Sequence, residues 1–240
     1  MKIAIIGYGK MGKTVENLAI EKGHTIVTII DSPEDWNRKS GQLADADVAI
    51  DFSMPAVAVQ NILNCFDANL PVVSGTTGWD VRLPEVREIC KQKNQALFTA
   101  SNFSIGVNIF FRLNRFLGEM MDKFPDYEIF IDETHHLQKL DAPSGTAKTL
   151  ADNLIRIVGR KNHWKLNDDA GGDGIRIDAH READVKGIHQ ITCDSEEDTI
   201  MIRHEAKSRQ GFAAGALMAA AWLHGRKGFF TMDDLFDELL

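Results

Sequence analysis

Residues 2–12 read KIAIIGYGKMG, and this stretch decides the fold. The apolar run at its start is typical of a buried β-strand, and the glycines after it mark a tight turn into a helix. Gly7, Gly9 and Gly12 give the pattern G-x-G-x-x-G. Gly7 permits the turn, Gly9 lets a pyrophosphate approach the backbone, and Gly12 lets helix and strand pack closely. The stretch predicts a dinucleotide-binding turn, although a tight strand–helix turn without a ligand could share the pattern.

An acidic residue follows at the distance that a dinucleotide site requires. Asp31 ends the next apolar run, HTIVTIID, about 20 residues after the last glycine, where a carboxylate can accept hydrogen bonds from a ribose. The helix start beside the glycines offers N–H groups and partial positive charge to phosphates. The predicted cofactor contacts here are Gly7, Tyr8, Gly9, Lys10, Met11, Gly12 and Asp31.

Apolar runs and helical patterns alternate through the first hundred residues. The runs are KIAIIG, HTIVTIID, DVAIDFS, PVVSGTT and QALFTAS, and helical patterns such as 55–67 and 83–93 lie between them. Alternation of this kind predicts βαβ units and a parallel sheet covered by helices on both faces. The fold class is therefore α/β, with a doubly wound, Rossmann-type parallel sheet.

Two later loops lie where ligands bind such sheets, outside the carboxyl ends of the strands. SGTTG follows the fourth run and ASNFS follows the fifth. The same residue types are common in ordinary turns, which is the alternative interpretation. As cofactor contacts they supply Gly75, Thr76, Thr77, Ala100, Ser101, Asn102 and Phe103.

The pattern changes after residue 104. A long helical stripe over 106–124 is predicted to be core packing, and strand-like runs near 174–182, 187–194 and 198–206 alternate apolar with polar residues. That alternation is typical of a mixed or antiparallel sheet with one open face. We predict a dinucleotide-binding domain at 1–104, an α+β substrate-binding and oligomerisation domain at 105–207, and a C-terminal return to the first domain at 208–240.

Residues 133–148, ETHHLQKLDAPSGTAK, concentrate polar chemistry. His135 and His136 are adjacent, so on an extended chain they point to opposite sides, and Lys139 can return through a turn. Ser144 is a natural N-cap, and the N–H groups of the following residues could bind a carboxylate. A surface turn before a capped helix is the alternative, but the cofactor motif upstream favours a substrate site.

Composition excludes several other classes. The formal net charge is −8, whereas a nucleic-acid surface needs clustered basic residues. The apolar run after Met1 is too short for a signal peptide or a membrane span, so we expect a cytoplasmic protein with no membrane partner. The three cysteines and the scattered histidines lack the spacing of a disulfide framework or a metal site, so buried thiols and no metal are expected.

Along essentially the whole chain the sequence resembles the dihydrodipicolinate reductase family, also described as 4-hydroxy-tetrahydrodipicolinate reductases, of diaminopimelate and lysine biosynthesis. The histidine-pair motif is the most specific part of the likeness. It is joined by GYGKMG, DFS at 51–53, SGTTGW at 74–79, SNFSIGVN at 101–108 and HEAKSRQGFAAGALMAAAWL near the end. The resemblance implies an NADH- or NADPH-dependent oxidoreductase that reduces a cyclic imino dicarboxylate, and a homotetramer.

The resemblance also implies roles for individual residues. His135 matches the family's acid/base residue and Lys139 its proton donor. Substrate contacts match at His136, Ser144, Gly145 and Thr146, and the cofactor contacts match the glycine turn, Asp31 and the two loops above.

One departure from the family concerns the cofactor. Ser32 and Pro33 follow Asp31, where relatives that take NADPH readily often carry a basic residue. A carboxylate at this point repels a 2′-phosphate unless a cation stands close by, and Arg38, Lys39 and Lys10 are the candidates. We therefore predict that NADH serves at least as well as NADPH.

Two rival functions remain open. A different nicotinamide enzyme, such as an amino-acid dehydrogenase, could use the same histidine and lysine on another substrate. A non-catalytic dinucleotide-binding regulator could keep the fold, although retention of both His135 and Lys139 speaks against it.

Overall fold

The structure is a computed structural model that describes residues 1–239, so Leu240, the last residue of the predicted C-terminal segment, lies outside it. The chain forms two compact units. Of the described residues, 1–105 and 209–239 form the first unit, and Gly106–Ser208 form the second.

The first unit is built on a parallel sheet of six strands in the order β11-β5-β4-β3-β1-β2. The strands are β1 Lys2–Ile6, β2 Thr25–Ile30, β3 Val48–Asp51, β4 Val72–Ser74, β5 Ala96–Thr99 and β11 Gly228–Phe230. Every strand pair is parallel. The first five strands coincide with the five predicted apolar runs, and β11 was not predicted.

Helices cover both faces of this sheet. They are α1 Lys10–Glu21, α2 Pro33–Lys39, α3 Pro55–Asp67, α4 Leu83–Gln92, α7 Gln210–Leu223 and α8 Met232–Leu239. Successive side chains of β1 point to opposite faces, so Ile3 and Ile5 join a core with α1, α7 and α8, while Ala4 and Ile6 join a core with α3 and α4. The doubly wound prediction is therefore confirmed.

The segment after Asp31 contains a helix that the sequence analysis did not predict, Pro33–Lys39. Ser32 caps it, since its hydroxyl accepts a hydrogen bond from the Asp35 N–H at 3.2 Å. Pro33 occupies the first helical position, where a missing N–H costs no hydrogen bond.

The second unit carries a mixed sheet in the order β10-β9-β6-β8-β7. Its strands are β6 Glu128–His135, β7 His163–Leu166, β8 Gly174–Arg181, β9 Ile188–Asp194 and β10 Thr199–Glu205. β8 runs parallel to β6 and β7, whereas β9 runs antiparallel to β6 and β10. This confirms the mixed sheet; β7 was not predicted.

Two helices, α5 Ile105–Lys123 and α6 Gly145–Ile157, pack on one face of that sheet through a shared apolar core. The predicted stripe on α5 is only partly core, because Met120 and Phe124 are exposed. Asn114 of the same stripe is fully buried, and its side chain donates a hydrogen bond to the Leu150 carbonyl at 3.1 Å, which ties α5 to α6.

The cysteines follow the sequence prediction. Cys65, Cys90 and Cys193 are buried free thiols. Burial raises the pKa of Cys65, and it raises the pKa of Cys193 to about 11, so neither side chain is a reactive thiolate at neutral pH. Within residues 1–239, no helix combines the length and apolar character needed to cross a membrane.

Candidate active site

The glycine turn has the geometry that its three glycines predict. Gly7 has a φ of +85°, and a Cβ there would lie 2.4 Å from the Phe52 carbonyl oxygen. A Cβ on Gly12 would lie 2.2 Å from the Gly7 carbonyl oxygen, so helix α1 packs closely on the turn. A Cβ on Gly9 would meet nothing within 4 Å, which leaves the backbone at the start of α1 open to a ligand.

Asp31 stands beside that turn. Its Oδ1 accepts a hydrogen bond from the Tyr8 N–H at 2.6 Å, which fixes the carboxylate at the end of β2. A cavity of about 570 Å³ opens next to it, a volume suited to a small-molecule ligand. It is lined by Gly7, Tyr8, Gly9, Ile30, Asp31, Ser32, Pro33, Trp36, Phe52, Ser53, Met54, Val57 and Asn61.

A second cavity of about 410 Å³ continues from the first, with which it shares Gly9, Phe52 and Ser53. It brings Lys10 and Met11 together with the predicted loop residues Gly75, Thr76 and Thr77. The predicted residues 100–103 are not among the residues that line either cavity. Phe103 is buried, and its ring packs edge-on against Phe52 at 5.9 Å.

A buried polar network that the sequence prediction missed supports the second cavity. Asp51 Oδ2 accepts hydrogen bonds from the hydroxyls of Ser74 and Thr76, both at 2.8 Å, and the Thr76 hydroxyl accepts the Ser53 N–H at 2.8 Å. Asn61 bonds to Ser53 Oγ at 3.0 Å. Burial raises the pKa of the Asp51 carboxyl. The sequence signal for this network was Asp51, an acidic residue at the end of a buried apolar strand.

The second unit holds the histidine-pair motif at the end of β6. Residues alternate between half-buried and buried along this strand, so Glu133 and His135 share the buried face. His136 lies just past the strand and is half-buried. The opposite orientation predicted for the two histidines is thus consistent with their different burial.

Glu133, which the sequence prediction missed, lies beneath His135. Its Oε2 is 3.5 Å from His135 Nδ1 and 3.8 Å from Nε2 of His189, on β9. Donor atoms of these three residues lie within 4.8 Å of one another, close enough in principle for a metal ion. However, the Glu133 oxygens accept the Ser144 N–H at 3.0 and 3.1 Å, and His189 Nε2 lies 3.1 Å from Ser144 Oγ. These protein contacts account for the grouping without an ion.

Lys139 is placed by a turn, in which its N–H donates to the His136 carbonyl at 3.0 Å. Its Nζ lies 2.9 Å from both carboxylate oxygens of Asp141. This contact lowers the pKa of Asp141. Arg181, on β8, donates to the carbonyl oxygens of Lys139 at 3.2 Å and Asp141 at 2.7 Å, so the segment is anchored to the sheet.

The start of helix α6 lies just beyond that segment. The predicted N-cap is confirmed, because the Ser144 hydroxyl accepts the Ala147 N–H at 3.2 Å. Ser144 is 2 % exposed, so its hydroxyl is committed to the helix and to His189. A Cβ on Gly145 would meet nothing within 4 Å, which leaves space beside the first N–H groups of the helix.

The electrostatics of His135 combine opposing effects. Burial is the largest and lowers its pKa, the Glu133 carboxylate raises it, and the Lys139 and Arg181 cations lower it further. The net direction is downward, so the imidazole is mainly neutral at neutral pH. A neutral histidine can accept a proton or a hydrogen bond at its unprotonated ring nitrogen.

Comparison with known sequences covers both units. The family model described as "Dihydrodipicolinate reductase, N-terminus" matches residues 1–103, and that described as "Dihydrodipicolinate reductase, C-terminus" matches residues 106–236. A 4-hydroxy-tetrahydrodipicolinate reductase of Christiangramia forsetii is 48 % identical over 239 residues, covering 100 % of this chain and 99 % of the relative. A reductase of the same name from Staphylococcus aureus (strain MRSA252) is 35 % identical, covering 98 % of this chain and 100 % of the relative.

Solved structures share the fold. A dipicolinate-bound dihydrodipicolinate reductase from Paenisporosarcina sp. TG-14 superposes with a TM-score of 0.77 at 24 % identity, covering 96 % of this chain and 97 % of that one. An amine dehydrogenase from Mycobacterium smegmatis superposes with a TM-score of 0.57 at 9 % identity, covering 96 % and 94 %. These likenesses extend over both units.

Proposed function

The chain belongs to the dihydrodipicolinate reductase family, and from this premise we propose how its residues carry out the NAD(P)H-dependent reduction of 4-hydroxy-tetrahydrodipicolinate. The reaction yields tetrahydrodipicolinate in diaminopimelate and lysine biosynthesis; the substrate gains a hydride and a proton, and its 4-hydroxyl group leaves as water. The observation that carries the assignment is the full-length match to curated reductases together with a glycine turn in one unit and the His135–Lys139 segment in the other.

We propose that the first unit binds the cofactor. Its glycine turn offers open backbone at Gly9 and the start of α1 to the pyrophosphate, and Asp31 accepts hydrogen bonds from the adenosine ribose. Gly75 and Thr77 line the second cavity and contact the nicotinamide half. Residues 100–103 are assigned to the same half from the family likeness. The Thr76 hydroxyl donates a hydrogen bond to Asp51, so this side chain supports the second cavity from below.

The second unit binds the substrate and supplies the proton that the reaction consumes. Bound NADH or NADPH supplies a hydride to an electron-poor carbon of the substrate. Lys139 donates a proton to the substrate atom that gains negative charge, and the neutral His135 imidazole accepts or relays a proton near neutral pH.

The substrate's carboxylates need partners as well. The N–H groups of Gly145 and Thr146 at the start of α6 bind one carboxylate, and His136 contacts the substrate beside them. Ser144 holds that helix start in place through its bonds to Ala147 and His189.

The cofactor preference follows from helix α2. Lys39 is held by Asp35 at 2.7 Å and donates to the Ile29 carbonyl at 2.9 Å, so its charge is already engaged. Asp31 therefore favours two ribose hydroxyls over a 2′-phosphate. We expect kcat/KM for NADH to equal or exceed that for NADPH when both are measured at one ionic strength. A clear NADPH preference would show that Arg38 or Lys10 reaches the phosphate.

The decisive experiment compares substrates. Oxidation of NADH is followed with the cyclic imino dicarboxylate and, separately, with ammonia plus a keto acid. Turnover with the first alone supports the reductase. Turnover with the second alone would identify an amino-acid dehydrogenase, and cofactor binding without turnover would identify a regulator.

The assembly and the location complete the proposal. We propose a cytoplasmic homotetramer, as the family likeness implies. Light scattering coupled to size-exclusion chromatography measures the mass directly, and a monomer at assay concentration would contradict the proposed assembly.

A further inference from the structure

The buried carboxylate of Glu133 is not used by the chemistry above, yet it is 0 % exposed and three parts of the site converge on it. On its own strand, His135 Nδ1 lies 3.5 Å away. From the start of α6, the Ser144 N–H donates to both of its oxygens. From β8, the Arg181 guanidinium lies 3.7 Å from Oε1 and also holds the backbone of Lys139 and Asp141.

These contacts come from three different segments of the second unit. β6 supplies the histidine, the following turn supplies the lysine, and α6 supplies the N–H groups for the substrate carboxylate. A carboxylate has enough acceptor sites to meet all three kinds of partner at once. An uncompensated buried charge is costly, and here the carboxylate accepts the Ser144 N–H and has His135 and Arg181 at 3.5 and 3.7 Å.

We propose that Glu133 is the positioning residue of the substrate site. It holds the His135 ring with Nδ1 toward its carboxylate, and it fixes the start of α6 and the Lys139 turn relative to that ring. The proposal rests on the proposed function only for its kinetic consequence. Glu133 acts through its neighbours and has no contact with the substrate in this assignment.

His135 Nδ1 lies 3.5 Å from Glu133 Oε2 and makes no hydrogen bond in the structure; under this proposal the carboxylate selects the tautomer that carries the proton on Nδ1. With Nδ1–H directed at the carboxylate, the neutral ring leaves Nε2 as its acceptor, and that nitrogen lies on the side of Gly187, where an added Cβ would be 3.2 Å from it. His189 Nε2 lies 3.8 Å from the same carboxylate, and burial lowers the pKa of His189 to about 3, so this second ring is neutral as well at neutral pH.

The charge on Glu133 opposes the other influences on His135. The titratable and charged groups that face this imidazole come from β6, the turn after it, β8 and β9. They are Glu133, Lys139, Asp141, Arg181 and His189. Loss of the Glu133 charge leaves the two nearby cations less opposed, so the pKa of His135 must fall further.

The test is Glu133→Gln in the full-length enzyme, with Asp132→Asn as the matched control. Asp132 is the adjacent acid of the same strand on its other face, 3.7 Å from His180 and 40 % exposed. We expect the NMR titration midpoint of His135 to move down by roughly one pH unit in Glu133→Gln. We expect kcat/KM for the imino dicarboxylate to fall about 10- to 100-fold, the usual effect of misplacing a reacting group. KM for NADH should stay within about twofold, and Asp132→Asn should behave as the parent.

An unchanged His135 titration in a folded Glu133→Gln protein would overturn the proposal. Should that variant not fold, nitrogen-15 NMR of the parent decides instead: the Nδ1–H tautomer of His135 supports the proposal, and the Nε2–H tautomer overturns it. Neither of the two NMR measurements depends on catalytic turnover. A parent enzyme that fails to reduce the imino dicarboxylate would therefore refute the proposed function, whereas the NMR measurements would still test the positioning role of Glu133.

Discussion

Lys139 brings a positive charge close enough to His135 to lower the pKa of that imidazole. Its side chain is 21 % exposed and is held by Asp141, whose side chain is 58 % exposed. An ion pair with one well-exposed partner is weak in water, so its ammonium can exchange Asp141 for a substrate at little cost. At the residue scale, the structure therefore offers an available proton donor beside a neutral imidazole.

Replacing Lys139 by Met tests this donor. We expect Lys139→Met to bind NADH as the parent does but to lose about 10²- to 10⁴-fold in kcat, the usual contribution of a positioned acid or base. Steady-state kinetics and fluorescence titration with NADH measure the two effects. Lys165→Met, an exposed lysine on β7, is the control. Turnover within a few-fold of the parent would remove Lys139 from the mechanism.

Thr146 tests the start of α6 as the carboxylate site. Thr146→Val keeps the N–H but removes the hydroxyl, which we expect to donate to the same carboxylate, so KM for the imino dicarboxylate should rise more than kcat falls; an unmade hydrogen bond to a buried polar group costs about 1–3 kcal/mol. Thr149→Val is the matched control, since the Thr149 hydroxyl already donates to the Gly145 carbonyl at 3.0 Å. An unchanged KM in a protein with the parent's circular dichroism would contradict the assignment.

At the scale of elements, helix α7 determines where the loop at 100–103 can lie. A Cβ on Gly215 would be 1.7 Å from the Phe103 carbonyl oxygen, so helix and loop backbones are in direct contact. The sequence around Gly215 is otherwise rich in alanine, and seven of the 14 residues of α7, Gly215 among them, are buried in the first unit. The predicted C-terminal helix thus supports one of the predicted cofactor loops.

Gly215→Ala should displace that loop. Overpacking of this severity costs about 1–3 kcal/mol or more, so we expect a lower melting temperature and weaker NADH binding together. Gly211→Ala, in the first turn of the same helix, is the control, because its Cβ would meet only Ser104 Oγ at 3.8 Å. Thermal unfolding and NADH titration of both variants check the prediction, and equal behaviour of the two would refute it.

At the scale of the whole molecule, buried neutral histidines link stability to pH. Burial lowers the pKa values of His135 and His204, and it lowers the pKa of His189 to about 3. Histidine in the unfolded chain titrates near 6.5. The unfolded state therefore binds more protons below that pH, and stability is lost as the pH falls from about 6.5 toward the folded pKa values.

His189→Gln should weaken this dependence. Between pH 6.5 and 5 the parent loses up to about 2 kcal/mol through His189, the value of 1.4 kcal/mol per pH unit for one bound proton. The variant has a lower stability at pH 7.5, because its contact with Ser144 is altered, but a shallower decline on acidification. Urea unfolding at pH 7.5, 6.5 and 5.5 measures the slopes. The exposed His224→Gln is the control, and parallel slopes for His189→Gln and the parent would contradict the prediction.

The features that the sequence determined by itself are those set by residues close to one another along the chain. The glycine turn, the five apolar runs of the first sheet, helix α3 at Pro55–Asp67 and the Ser144 cap all follow from periodicity and from short-range hydrogen bonding. A short-range signal was also present for a helix that was not predicted, since Ser32 and Pro33 form the start of α2.

Only the tertiary structure decided which distant residues meet. Glu133 and His135 share a strand face, which the two-residue periodicity of a β-strand could have indicated. Arg181 and His189 reach them only because β8 and β9 pair with β6 on its two sides. Strand order and register depend on contacts between distant segments, whose free energy is not visible in any local pattern. For the same reason β11, a three-residue strand beside β5, and the Asp51 network beneath the second cavity became apparent only in the folded chain.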